Sequence, residues 1–144
     1  MRCVVEWKEV SSRLMWDRVK IEKESWVFIL AYGPGSERSE EIEEFWNELS
    51  ECVGSFGRNE SVAVLEDLNA RVRNEVNEGI VGRHGVQGRN ESGELLLEMC
   101  AEQELVVGNS WFKKNDVYKF TWLRMAERRV LDKALMNYVL DIKV

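Results

Sequence analysis

An uninterrupted apolar run constrains the fold of this chain more than any other feature of its sequence. Residues 26–32 read Trp-Val-Phe-Ile-Leu-Ala-Tyr and are followed at once by Gly33-Pro34-Gly35. An apolar run of this length between turn formers is typical of a strand that is buried on both faces, inside a sheet. The strand ends at the proline, which cannot donate a hydrogen bond to a neighbouring strand. The sequence therefore predicts a sheet with this segment near its centre.

Hydrophobic periodicity predicts strands near both ends of the chain and two helices between them. Ser39 and Ser92 are the predicted N-caps of the helices. The glutamates within residues 40–44 lie opposite the apolar stripe and predict a solvated face rather than a cation site. Residues 69–91 lack periodicity, which predicts a long loop, and segment 130–139 fits a helix and a strand equally well. The predicted strands are 3–10, 13–22, 26–32, 61–65, 105–107 and 118–123, and the helices are 40–53 and 93–103, giving a mixed α/β chain.

Composition narrows the function classes. The chain has 144 residues, 44% of them apolar, which suffices for the core of one domain. Its net charge of −6 excludes a generally basic, histone-like nucleic-acid binder but is compatible with a local basic patch. No apolar run reaches the roughly 18 residues of a membrane helix, so no membrane partner is expected. The three cysteines are widely spaced, which favours a reducing, intracellular compartment over a disulfide framework.

The strongest local signal for chemistry follows the predicted strand 61–65. Asp67 and Asn69 stand two residues apart just beyond its carboxyl end, where open α/β sheets bind ligands. Residues two apart face the same way on an extended backbone, so the Asp67 carboxylate and the Asn69 amide would lie side by side. The carboxylate could hold a metal or orient a water molecule, and the amide could donate to a phosphate oxygen. Tyr32 closes the preceding apolar run and would reach the same edge. Each of these residues also has a purely structural interpretation. Asp67 and Asn69 are common turn formers, and Tyr32 fits an aromatic side chain at the rim of the sheet.

The segment 111–143 is locally basic although the whole chain is acidic. It holds eight lysines and arginines against four acids, with aromatic residues interleaved among them. Bases and aromatics together suit a nucleic-acid backbone with stacked bases, and an ordinary solvated face around a strand explains the pattern equally well. The single histidine, His84, lies in the glycine-rich loop, with no nucleophile and acid placed around it to form a triad.

Several motifs occur together in one order along the chain. The run that ends Ala31-Tyr32-Gly33-Pro34-Gly35 is followed by Asp67-Leu68-Asn69-Ala70-Arg71-Val72, and later by Phe120-Thr121-Trp122. Between them lie Gly82-Arg83-His84-Gly85 and the segment 88–93. With these motifs the chain resembles the endonuclease/exonuclease/phosphatase family. Within that family it is similar to the RTE-type non-LTR retrotransposon endonucleases and the related craniofacial development protein 2-like sequences.

The resemblance implies an α/β (α+β) fold, a partial four-layer α/β sandwich of the DNase I-like type. It also implies Mg²⁺-dependent hydrolysis of DNA phosphodiesters, with Mg²⁺ as the expected cofactor and DNA as the expected partner. By the same resemblance, Tyr32 would contact the scissile phosphate, Asp67 would orient or activate the attacking water, and Asn69 would hydrogen-bond the phosphate. Arg71 and Trp122 would bind the substrate.

Departures from the family pattern point to impaired catalysis. Glu66 stands where the family carries a glycine, and Asn137 stands where it carries the aspartate that orients a catalytic histidine. The metal-binding glutamate and the Ser-Asp-His segment of the family have no match. Residues 1–144 are therefore expected to form a single, incomplete domain that self-associates through exposed sheet edges. A non-catalytic nucleic-acid-binding fragment using residues 111–143 and an inert retrotransposon remnant are the alternative interpretations.

Overall fold

A computed structural model describes residues 2–35, 39–57, 59–65, 67–72, 79–84, 88–113 and 140–142 of the chain. The elements are β1 Arg2–Ser11, β2 Leu14–Ile21, β3 Glu24–Ala31, α1 Ser39–Gly54, β4 Ser61–Leu65, α2 Glu91–Glu102, β5 Leu105–Val107 and β6 Leu140–Ile142, with a 3₁₀ turn at Gly108–Ser110. Each strand and helix predicted within these residues is present. The predicted strand 118–123 and the ambiguous segment 130–139 lie outside the described residues.

The strands form one sheet in the order β1-β2-β3-β4-β6-β5. β3 and β4 are parallel, with Trp26 opposite Ser61 and Leu30 opposite Leu65, and α1 connects them. A parallel pair needs such a crossover because the chain has to return to the same end of the sheet. The other strand pairs of the described sheet are antiparallel. The carboxyl ends of β3 and β4 therefore meet at one edge.

Both helices pack against one face of the sheet and form a single core with it. On α1 the buried residues recur at helical spacing, and the glutamates of its first two turns are exposed, which confirms the predicted solvated face. No helix in the described part of the chain is long and apolar enough to span a membrane. The core includes Ile42, Phe45, Trp46 and Leu49 of α1, Leu96 and Cys100 of α2, Val27 and Ile29 of β3, and Val62 and Val64 of β4.

The opposite face of the sheet is only half covered, so the prediction that β3 is buried on both faces is wrong. Val27, Ile29 and Ala31 are at most 1% exposed beneath the helices. The alternating side chains of Trp26, Phe28 and Leu30 are half-buried, because the described helices cover one face only. We call this second surface the open face. By strand register it also carries Val4, Trp7, Met15 and Val19.

Helix α2 begins two residues before the predicted start, and its N-cap is Asn90 rather than Ser92. The Asn90 backbone is extended, and its side chain accepts a hydrogen bond from the Gly93 N–H. Ser92 is instead buried within the first turn, at 3% exposure. Serine and asparagine are comparable N-caps. The choice between them therefore depends on contacts outside the helix, which the local pattern does not contain.

An ion-pair cluster connects the outer strands to the loop before β4. The Arg18 guanidinium on β2 donates to Glu60 through Nε, 2.7 Å from Oε1, and to Glu6 on β1 through Nη1. Glu60 also accepts from the Ser25 hydroxyl and from the Gly57 N–H. Burial raises the pKa of the Glu60 carboxyl, but the hydrogen bonds and the charge of Arg18 outweigh it, so that the pKa lies below its ordinary value.

We expect Glu60→Gln to lower the free energy of unfolding by about 1–2 kcal/mol at neutral pH, since it weakens hydrogen bonds to a charged group. Because the folded-state pKa of Glu60 is lowered, its contribution is full above the unfolded value of 4.5 and is lost as the pH falls through the folded value. Urea unfolding measured across this range tests both statements. Glu102→Gln, at an exposed position of α2, is the control. Equal effects of the two substitutions would contradict the assignment.

Exposed apolar side chains on β1 predict self-association of the chain. Val4, Val5 and Trp7 are 61%, 56% and 65% exposed, and β1 pairs only with β2 among the described residues. An edge strand with apolar side chains favours pairing with a second chain. We expect sedimentation velocity to show mass increasing with concentration, and Trp7→Lys to reduce this increase. Trp111→Lys, at another exposed tryptophan, is the control, and a monodisperse monomer at all concentrations would refute the prediction.

Candidate functional site

A hydrogen-bonded junction joins the carboxyl ends of the two parallel strands. The Gly33 N–H donates to the carbonyl oxygen of Asp67 at 2.8 Å. The Asn69 side-chain amide donates back to the carbonyl oxygen of Gly33 at 2.7 Å. Gly33 directly follows Tyr32, so these two bonds bring the segments of Tyr32, Asp67 and Asn69 to one edge of the sheet.

Gly33 is required at this junction because the two segments are in close contact. A methyl group at Gly33 would lie 2.4 Å from the carbonyl oxygen of Leu68, which is backbone and has little room to move. Leu68 itself is fully buried in the core. The absence of a side chain at Gly33 thus lets the two strand ends approach closely enough for the Gly33 N–H to reach the Asp67 carbonyl oxygen and for the Asn69 side-chain amide to reach the Gly33 carbonyl oxygen.

Asp67 and Asn69 form a tight turn. The Asp67 carboxylate accepts the backbone N–H of Asn69 at 3.1 Å, and Asn69 adopts the left-handed conformation with φ 51°. Asparagine tolerates this conformation better than most residues. The turn-forming interpretation of both residues is therefore part of the structure. It leaves Asp67 and Asn69 half-buried at the sheet edge.

Tyr32 is exposed and lies beside an arginine that the sequence analysis did not single out. Its side chain is 59% accessible, and its backbone N–H donates to the carbonyl oxygen of Arg13 at 2.9 Å. The Arg13 guanidinium carbon lies 5.9 Å from the centroid of the Tyr32 ring. Arg13 is in the turn between β1 and β2, so only the folded hairpin places its positive charge at this edge. No local sequence signal could have identified it.

Asn90 and Gly93 attach α2 to the same turn. The Asn90 side-chain amide donates to the carbonyl oxygen of Asn69 at 2.9 Å, and its Oδ1 accepts the Arg71 N–H at 2.8 Å. A methyl group at Gly93 would lie 1.8 Å from the carbonyl oxygen of Arg71. The sequence does contain a signal for this contact, because an asparagine stands three residues before a glycine. The prediction of Ser92 as the N-cap does not use that signal.

The other predicted site residues fall into two groups. Arg71 is half-buried next to the turn, through the backbone contacts just described, whereas Trp122, Glu66 and Asn137 lie outside the described residues. The His84 backbone N–H donates to the carbonyl oxygen of Ser110, which places the histidine beside the 3₁₀ turn. Its segment thus contacts a different part of the fold from the Gly33 junction.

The described residues do not fit a complete magnesium site. They contain no group of three or more histidine, cysteine, aspartate or glutamate side chains that could hold a metal ion. At the Gly33 junction the described carboxylate is that of Asp67, and it already accepts the Asn69 N–H. Mg²⁺ prefers octahedral oxygen coordination with more than one protein anchor.

Two buried cysteines are unsuited to nucleophilic chemistry. Cys52 on α1 and Cys100 on α2 are free thiols in the core. Burial raises the pKa of both thiols, that of Cys100 to about 12. The thiolate is the reactive form, so neither side chain is activated at neutral pH.

Comparison with known proteins agrees with the resemblance seen in the sequence. No family model matches the chain. Craniofacial development protein 2 of Bos taurus is 30% identical over 95 residues, which is 65% of this chain and 16% of that protein. The protein of the same name from Tragulus javanicus is 28% identical over 82 residues, 57% of this chain and 14% of its own length. The chain thus spans about a sixth of the length of the curated relatives that it matches.

A solved structure gives the fold independently of sequence. The endonuclease domain of TRAS1, a telomere-specific non-LTR retrotransposon, superposes with a TM-score of 0.65 over 96% of this chain and 56% of that domain's chain, at 10% identity. The protein is therefore an α/β domain with the DNase I-like fold, as predicted. The two relatives agree with the family resemblance of the motifs, and the structural neighbour, at 10% identity, shows the fold alone.

We expect Gly33→Ala to destabilise the protein by about 1–3 kcal/mol, because the added methyl group overpacks a contact with backbone. Gly35→Ala is the matched control, since a methyl group there meets no described atom within 4 Å and should change stability by less than about 0.5 kcal/mol. Chemical denaturation measures both. If the two substitutions cost the same, the close approach of Gly33 to Leu68 does not hold the junction together.

Proposed function

We propose that residues 1–144 form a nuclease-like domain whose Tyr32–Asp67–Asn69 edge binds the phosphodiester backbone of DNA. The observation that carries this proposal is the Gly33 junction, in which the Asp67 backbone and the Asn69 side chain both bond to Gly33. The junction ties an exposed phenol, a carboxylate and an amide to two adjacent strand ends. Ligands of open α/β sheets bind at such an edge.

Each residue of the edge has a role that its chemistry permits. The exposed Tyr32 hydroxyl donates to a phosphate oxygen, and the nearby Arg13 guanidinium supplies positive charge. A side-chain amide has two N–H donors, so the bond from Asn69 to Gly33 still allows a second bond to phosphate. Asp67 orients a water molecule. Arg71 and Trp122 complete the proposed contacts with the substrate, on the strength of the family resemblance.

A second candidate function is nucleic-acid binding without catalysis through residues 111–143. Trp111 and Phe112 are 47% and 66% exposed, and Lys113 beside them is exposed as well. Exposed aromatic side chains next to a cation favour stacking with unpaired bases. This candidate requires neither Tyr32 nor Asp67.

Fluorescence anisotropy with a labelled DNA oligonucleotide, measured at several salt concentrations, distinguishes the two candidates. We expect binding that weakens as salt rises, and an affinity at least about fivefold lower for Tyr32→Ala, in line with the loss of one phosphate or stacking contact. Tyr32 is exposed, so the variant should fold normally. Trp111→Ala should leave the affinity unchanged. The reverse result would favour the second candidate, and no binding at all would exclude both.

We further propose that the chain by itself does not nick DNA. The family resemblance implies Mg²⁺, but the described residues offer a single carboxylate at the junction, and the family's acid–base histidine has no match. General acid–base catalysis contributes roughly 10²–10⁴-fold. We therefore expect no nicking of supercoiled plasmid above background in Mg²⁺. Nicking that disappears both with EDTA and in Asp67→Ala would overturn this proposal.

A further inference from the structure

Asn90 is the point at which helix α2 and the Asp67–Asn69 turn are bonded to each other. Its side-chain amide donates to the carbonyl oxygen of Asn69 at 2.9 Å. Its Oδ1 accepts two backbone N–H groups, that of Arg71 at 2.8 Å and that of Gly93 at 2.9 Å. One side chain therefore caps the helix and holds the chain on both sides of residue 70.

The turn is held by hydrogen bonds from segments on both sides of it. Asn69 is left-handed, with φ 51°, a conformation that costs most L-residues free energy. Its side-chain amide donates to the Gly33 carbonyl oxygen, and its own carbonyl oxygen accepts from the Asn90 side-chain amide. Asn69 is thus fixed from two sides, by the end of β3 and by the start of α2.

The contact between α2 and the turn is too close to slide. A methyl group at Gly93 would overlap the carbonyl oxygen of Arg71, at 1.8 Å. The first turn of the helix therefore lies directly against the backbone of this segment. The Asn90 side chain and the Gly93 backbone both contact residues 69–71 directly, so we expect a displacement of the start of α2 to reach the turn.

We propose that Asn90 is a positioning residue for the phosphate-binding edge: through the Asn69 carbonyl it holds Asn69 and Asp67 in the orientation in which they meet the phosphate. This inference rests on the proposed function. It assigns to Asn90 a role beyond that of a helix cap, because capping requires only its oxygen, whereas positioning requires its nitrogen.

Two substitutions separate the oxygen from the nitrogen. Asn90→Asp and Asn90→Ser both retain a side-chain oxygen that caps α2, and both lack the N–H donated to Asn69. Asn47→Asp and Asn47→Ser, at an exposed position of α1, control for the change of charge and of residue type. Using both Asn90 variants keeps the test valid if one of them folds poorly.

The first measurement uses NMR to record two quantities: the hydrogen-exchange rates of the backbone amides and the signal of the Asn69 side-chain NH₂ group. We expect the Gly33 and Asn69 backbone amides to exchange about fivefold faster in both Asn90 variants, the equivalent of about one neutral hydrogen bond. The Asn69 side-chain signal should shift, while the amides in the middle of α2 keep their exchange rates. The second measurement is the anisotropy titration with labelled DNA, in which both variants should bind about fivefold more weakly than the Asn47 controls.

The outcomes distinguish this inference from the proposed function. Unchanged exchange at Gly33 and Asn69 in a folded Asn90 variant overturns the positioning role, and so does loss of α2 in both variants, which would make Asn90 a structural cap. If the wild-type chain binds no DNA, the proposed function fails, and the exchange data still decide whether Asn90 holds the turn. Faster exchange with unchanged DNA affinity overturns the link between the turn and binding.

Discussion

The parallel pairing of β3 with β4 determines where the rest of the candidate site lies. The register that sets Leu30 opposite Leu65 brings both strands to an end at the same level of the sheet. The next residues of each strand then have to pass each other, and they do so at Gly33 and Leu68, where the space admits no side chain on the glycine. Close packing of backbone against backbone is thus what converts two strand ends into a site with a defined shape.

The position of Asn69 depends on this junction. Asn69 is held in its left-handed turn by Gly33, just after β3, and by Asn90, the N-cap of α2, so the end of β3 and the start of α2 both contribute to its position. The phosphodiester hydrolysis that the family resemblance implies would need a metal ion. Among the described residues at this edge, the carboxylate that could bind one is that of Asp67. The proposed phosphate-binding edge and the means to hydrolyse a phosphodiester are therefore separate properties.

The sequence predicted the elements well because their signals are local. The apolar runs of β3 and β4 and the stripe of α1 each contain the information for their own fold. Features that depend on tertiary partners were predicted less well. The N-cap of α2 is Asn90 rather than Ser92 because Asn90 also reaches Asn69 and Arg71. The half-covered state of Trp26 and Phe28, and the approach of Arg13 to Tyr32, depend on which surfaces other elements cover, and a single segment does not encode that.

The burial of two thiols in the helical layer determines how the core responds to oxidants. Burial raises the pKa of the fully buried Cys100 to about 12, so very little of this cysteine is present as thiolate at neutral pH. Peroxide reacts with the thiolate, so attack on this cysteine has to await a local opening of α2. The rate of its oxidation is then a measure of how often the helix separates from the sheet, and the chain carries its own chemical reporter of core dynamics at the element that supports the turn.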